Sequence, residues 1–300
     1  MNLNATLDTN RISRPSSPTL TLTVNSLNSL IADVVGSYVS VVVGGAAATP
    51  GYVKIGEVNG TSTTVTVQHT DSAKVPVITT VNEGTVTVSG GSVKVGTVSG
   101  ASSKVEVTGV GATAAVTTVE ASATVEAKTA ATASVTVGTV EAGGNVKTNN
   151  GASATVGTAK KDSVLTTQSA TDKLTITKEL DTYNLQLAHN STVTLNPGTT
   201  MGENANITDK TGTELKKVGD TAMTINTSSA INNGSATTKP GTSVSTKEEA
   251  PEDAEVTLPI TVTSNISAVS NLPEGATQDV AISSDGKSIS IVVKKALNLA

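Results

Sequence analysis

Apolar and polar residues alternate along most of this chain, and in one stretch the alternation becomes a repeat. Between positions 93 and 159 an apolar residue is followed by a second two positions on and a third three positions after that. Val93-x-Val95-x-x-Val98 and Val135-x-Val137-x-x-Val140 are the clearest copies. Between them lie Val105-x-Val107-x-x-Val110, Ala114-x-Val116-x-x-Val119 and Val125-x-Ala127-x-x-Ala130. Val146-x-Thr148-x-x-Gly151 and Ala154-x-Val156-x-x-Ala159 follow. The middle residues, at 95, 107, 116, 127, 137, 148 and 156, step by 12, 9, 11, 10, 11 and 8. In a strand, residues two apart share a face, so Val93 and Val95 point one way and Lys94 the other. Gly96-Thr97 then reads as a corner, after which Val98 turns inward again.

Such a unit cannot bury its inner face alone, but stacked units can bury a continuous core. The expected fold is all-β: a short-rung β-solenoid, resembling a parallel β-helix, with turns of about ten residues. Small flanking β-sandwich-like domains are expected at its ends. Short strands at this spacing also describe a sandwich or barrel. Composition favours the solenoid, because the chain has no Phe, no Trp and only three Tyr. A layer about 10 Å thick between two facing sheets is usually filled by aromatics.

The pattern divides the chain into five parts. Residues 1–16 read as a polar arm, and 17–83 as a small β domain or cap. Within the latter, Thr19–Val24 and Tyr38–Val43 are candidate strands, and Val75-Pro76-Val77 suggests a nearby boundary, since proline donates no ladder hydrogen bond. The solenoid shaft is assigned to 84–225, with Lys160-Lys161-Asp162 as a polar break and Met223-x-Ile225 as a last turn. Residues 226–254, rich in Ser, Thr and Asn and then acidic, read as a linker. The remaining 255–300 form a small C-terminal β domain, where Ser284-Asp285-Gly286-Lys287 signals a hairpin between Val280–Ser283 and Ser288–Val293.

Charge and candidate chemistry narrow the function classes. A net charge of −5 argues against a nucleic-acid partner. The chain has no cysteine, which excludes disulfides, thiolate metal sites and thiol catalysis. It contains no apolar run long enough for a transmembrane helix, so no membrane insertion is expected. His69 and His189 are the two histidines; His69-Thr70-Asp71 lacks a marked nucleophile and reads as a polar turn. Glu106, Glu120, Glu126 and Glu141 could supply a carboxylate pair for glycoside cleavage. They alternate with Lys94, Lys104, Lys128 and Lys147, however, as balanced charges on a solvated face would. Thr19, Thr21 and Thr23, and Thr85 and Thr87, offer regular hydroxyls that also suit outward strand positions. No catalytic, cofactor or metal residue is assigned, and no enzyme activity is expected.

The Gly-Thr-Val and Ser-Gly-Gly-Ser-Val-Lys-Val phrases of 84–140 resemble low-complexity β-strand repeats of bacterial surface-layer and adhesin-like proteins, and of phage fibre shafts. The resemblance implies a structural subunit, extracellular, at a cell surface or in a virion. Its partners would be copies of itself and a cell-surface or capsid protein. An adhesin binding a carbohydrate or protein is the alternative.

Overall fold

The computed structural model describes residues 2–3, 8–13, 19–24, 29–36, 38–44, 52–68, 70, 72–129, 131–182, 184–188, 190–205, 207–209, 222–226, 230–232, 255–258, 280–282 and 289–292. The described secondary structure is all β, and its main body is a β-solenoid of parallel strands. Two sheets run side by side along it. One is broad, made of strands such as Ser92–Ser99, Thr113–Val119, Ser134–Val140 and Ser153–Ala159. The other is narrow, made of four-residue strands such as Lys104–Val107, Thr124–Ala127 and Asn145–Thr148. Strands alternate between the sheets along the chain, so that each pairs with the next strand but one.

The coil is therefore about twice the expected ten-residue turn. On the broad sheet, Val95 lies beside Val116, then Val137, Val156, Ile176 and Leu195, in steps of 19 to 21 residues. On the narrow sheet, Val107, Ala127 and Thr148 form a separate stack. The uneven sequence steps were half-coils of two lengths, a long strand with its corner and a short strand with its corner. Summed in pairs they become nearly constant. With about 4.8 Å between neighbouring strands, the ten strands of the narrow sheet span about 43 Å.

Burial follows the motif on the broad sheet. Val93, Val95 and Val98 are buried, while Lys94, Gly96 and Thr97 lie outward or at a bend. The Gly-Thr pair is a kink inside one strand, where backbones approach closely. A Cβ added to Gly138 would sit 2.6 Å from the carbonyl oxygen of Thr117 in the preceding coil. On the narrow sheet the third motif residue departs from expectation. Val110 is 85% exposed, because the chain has already entered a corner, and the inward position there belongs to Ala112. Corners close by backbone bonds from residue i+3 to i, such as Ala123 N–H to Glu120 and Gly144 N–H to Glu141. A left-handed residue accompanies several of them: Ser122, Gly143 and Asp162 occupy equivalent places. Lys160-Lys161-Asp162 is thus one more corner, not a break.

Three domain expectations are corrected by the strand pairing. No boundary falls at 84, because both sheets run through it: Val58 pairs with Val81 and then Val98, and Val65 with Val86 and then Val105. The separate domain or cap over 17–83 is part of the same solenoid. Pro76 causes no interruption, since it stands just before the strand Val77–Asn82, buried, with its carbonyl accepting from Lys94. Proline is tolerated at a strand start for that reason. Nor are residues 1–16 simply an arm. Asn2–Leu3 pairs with Thr23–Val24, and Asp8–Ser13 with Leu30–Val35, both parallel.

At the other end, Met223–Asn226 is not a further turn. It runs antiparallel to Thr192–Leu195, which ends the parallel ladder of the broad sheet. Further on, Glu255–Leu258, Val280–Ile282 and Ile289–Val292 form an antiparallel three-stranded sheet. The last two strands pair as the hairpin reading required. The Asp285-Gly286 turn and most of the 226–254 linker lie outside the described residues.

Candidate functional site

Among the described residues, the strongest concentration of ionisable groups stands on the outer face of the narrow sheet. Glu106 and Glu126 are side by side across two neighbouring strands, a placement set by the parallel register. Like charges so close repel, and two lysines offset them. Lys104 pairs with Glu106 and lies 3.4 Å from Glu126. Lys128, in the following corner, is 2.8 Å from Glu106 and 3.7 Å from Glu126. Each carboxylate thus faces both ammonium groups. Burial would push the Glu106 carboxyl up, but its hydrogen bonds to Lys104 and Lys128 and their charges outweigh burial and hold it below the ordinary value. Burial would likewise lower Lys104, yet the hydrogen bond and charge of Glu106, joined by Glu126, raise it.

This arrangement does not suit Glu106 to the role of general acid. A general acid must hold its proton near neutral pH, which calls for a raised carboxyl, and Glu106 is shifted the other way. Glu120 and Glu141 do not join the cluster. They occupy equivalent corners after broad-sheet strands, and Glu141 pairs with Lys160 at 2.9 Å. Lys147 is next to Glu126 on the narrow sheet, whereas Lys94 belongs to the broad sheet. The alternation of signs read from the sequence is real for the narrow-sheet residues, and it divides the other charges between separate faces.

The network has a pH signature. Glu106 has a folded value below its unfolded one, so its contribution is present above the ordinary carboxyl range and is lost as pH falls through the folded value. Lys104, raised, contributes below the ordinary lysine range and loses its contribution as pH rises through its folded value. Glu106→Gln is therefore expected to cost about 1 kcal/mol near neutral pH. Chemical denaturation of both proteins should show the gap closing as pH is lowered from about 7 to about 3. A gap independent of pH would remove the electrostatic account.

A second polar cluster went unnoticed in the sequence. Asp172, fully buried at a corner, accepts five hydrogen bonds. They come from Thr148 Oγ1 at 3.1 Å, Gly151 N at 2.8 Å, Gln168 N at 2.8 Å, Ser169 N at 3.0 Å and Ser169 Oγ at 2.5 Å. It stands where earlier coils have the buried residues Ala112, Ala133 and Ala152. In the same region the inner valine stack of the narrow sheet gives way to Thr148 and Thr167. Thr167 Oγ1 bonds Ser191 Oγ at 2.7 Å, so the buried side chains of Thr148, Thr167 and Asp172 are all hydrogen-bonded. The trace in the sequence is the replacement of an apolar residue by threonine at 148 and 167.

The broad sheet presents a different surface over the same coils. Thr80, Thr97, Thr118, Thr139 and Thr158 align in register, as do Thr136, Thr155, Thr175 and Thr194. The outward positions of 113–119, 134–140 and 153–159 carry hydroxyls, Ala115 or glycine, and no charge. Thr21 and Thr23, and Thr85 and Thr87, do lie outward on the narrow sheet, aligned with Ser40 and Val42 and with Thr64 and Thr66. Thr19, exposed, precedes the strand. His69, Asp71 and His189 lie outside the described residues. Among the described residues no group of three or more His, Asp or Glu is placed to hold a metal ion. No protein-family model, curated protein or solved structure matches the chain.

Proposed function

We propose that this chain is a non-enzymatic structural protein, the shaft subunit of an extracellular fibre or surface layer or of a virion fibre, joined to copies of itself. The supporting observation is the run of two parallel ladders from the N-terminal strands to Gln186 on the narrow sheet and to Leu195 on the broad one. Coils that contact only their neighbours make a rod whose length scales with coil number, a shape suited to bearing load and spanning distance. The most concentrated charges are already paired with one another, so little of that surface is committed to a small polar ligand. A sheet end offers backbone groups that readily take another strand. At the C-terminal end of the broad sheet the antiparallel strand Met223–Asn226 already fills that role.

Negative-stain microscopy and analytical ultracentrifugation of the purified protein test this reading. Fibres, sheets or a defined oligomer are expected. Monodisperse monomer at every accessible concentration would overturn self-association. A second reading, an adhesin-type module, draws on the uncharged hydroxyl face of the broad sheet, which would suit a neutral carbohydrate. It requires binding to immobilised neutral glycans that Thr139→Lys with Thr158→Lys abolishes.

A further inference from the structure

Glycine following asparagine lets the backbone nitrogen approach the asparagine side chain, and the described residues contain two such pairs, Asn59-Gly60 and Asn150-Gly151. We propose that Asn150-Gly151 is a site of self-modification, a latent deamidation site that Asp172 keeps unreactive. The reaction balances within the protein and water. The Gly151 backbone nitrogen, losing its proton to solvent, attacks Asn150 Cγ and forms a new carbon–nitrogen bond. The bond from Cγ to the amide nitrogen Nδ2 breaks, and Nδ2 takes up one proton from water and leaves as ammonia. The five-membered succinimide is then opened by water at either carbonyl, giving aspartate or isoaspartate.

The corner meets the compositional requirement and blocks the geometric one. Asn150 is exposed, with φ of 57°, so its amide is open to water and to leaving-group departure. The nucleophile is not free. Gly151 N–H donates to Asp172 Oδ1 at 2.8 Å and to Ser169 Oγ at 3.3 Å, both in the next coil. Attack on Asn150 Cγ requires that nitrogen to leave a buried carboxylate and turn back toward the preceding residue. Asp172 is held by its four other hydrogen bonds, so it does not follow. The guard lies one coil away from the reactive pair, and the reaction becomes possible where the two coils separate. A modified corner would carry a new carboxylate and, in the isoaspartate form, an extra backbone carbon, neither of which restores the original turn. Asn59-Gly60 is held differently: Gly60 N–H donates to the Asn82 carbonyl at 3.3 Å, and the Asn59 amide donates to Glu57 Oε1 at 3.0 Å.

The test follows amide-to-acid conversion at each site by peptide mapping, after incubation of the full-length protein under mildly alkaline, warm conditions. A synthetic peptide covering 146–154 serves as the unguarded reference. The native protein should convert Asn150 at least about tenfold more slowly than the peptide. Asp172→Asn, which has one acceptor oxygen where the carboxylate has two, should bring Asn150 toward the peptide rate while Asn59 stays slow. Asp172→Ala, with none, should do so more fully. Equal rates in native protein and peptide would overturn the proposal. So would a slower Asn150 in Asp172→Asn, which would make the carboxylate a base and not a guard. A matching rise at Asn59 would do the same, because protection would then belong to the whole fold.

Discussion

Excising residues 113–133 is expected to leave a folded shaft one coil shorter, whereas excising residues 113–123 is expected to destroy the fold beyond the cut. The first deletion joins Ala112 to Ser134, and Ser134 is the residue that lies beside Thr113 in the intact ladder. Every strand downstream keeps its sheet and its face. Val137 moves into the place of Val116 beside Val95, and Lys147 into the place of Glu126 beside Glu106, an opposite charge. The second deletion removes half a coil. It delivers the four-residue strand Thr124–Ala127 to the broad sheet and Ser134–Val140 to the narrow one. Corner positions and strand lengths then conflict in each later coil, and the stacks of buried side chains are broken. Circular dichroism with thermal melting separates the outcomes. The full-coil deletion should keep a cooperative β-sheet melt, and the half-coil deletion should lose it. Equal tolerance of both would show that ten residues, not twenty, make the repeating unit.

Val137→Asp should be strongly damaging, with a loss of at least about 4 kcal/mol. Val137 is 1% exposed and lies between Val116 and Val156 in the inner stack. A carboxylate there would find aliphatic side chains above and below and no donor. The contrast with Asp172 identifies the cause: that carboxylate is equally buried, but five donors surround it. One residue away, Thr136 points outward, and Thr136→Asp should change stability by less than about 0.5 kcal/mol. Denaturant midpoints of the two variants give the comparison. Similar losses at 136 and 137 would contradict the inward and outward assignment on which the core depends.

Much of this was legible before any coordinates. The apolar pairs two apart, the Gly-Thr bend and the third inward valine mark broad-sheet strands at 93–98, 114–119 and 135–140, since strand periodicity is a local property. The absence of large aromatics also pointed to a narrow core built of small aliphatic side chains. Val110 shows the limit. Its spacing from Val107 matches that of Val98 from Val95, yet one valine is exposed and the other buried. A corner had intervened, and the spacing alone does not separate it from a bend within a strand.

By itself, then, the sequence determined that the chain forms short strands with one apolar face, because alternation dictates side-chain direction residue by residue. It also determined that these strands need stacking, because one strand cannot bury its own inner face. Only the tertiary structure decided that consecutive strands belong to different sheets, so that partners lie about twenty residues apart. Pairing depends on where corners return the backbone, and several left-handed positions set that path. The charge cluster and the Asp172 hub have the same origin. Glu106 meets Glu126, and Gly151 meets Asp172, only because the coil closes after that many residues and lays one copy against the next.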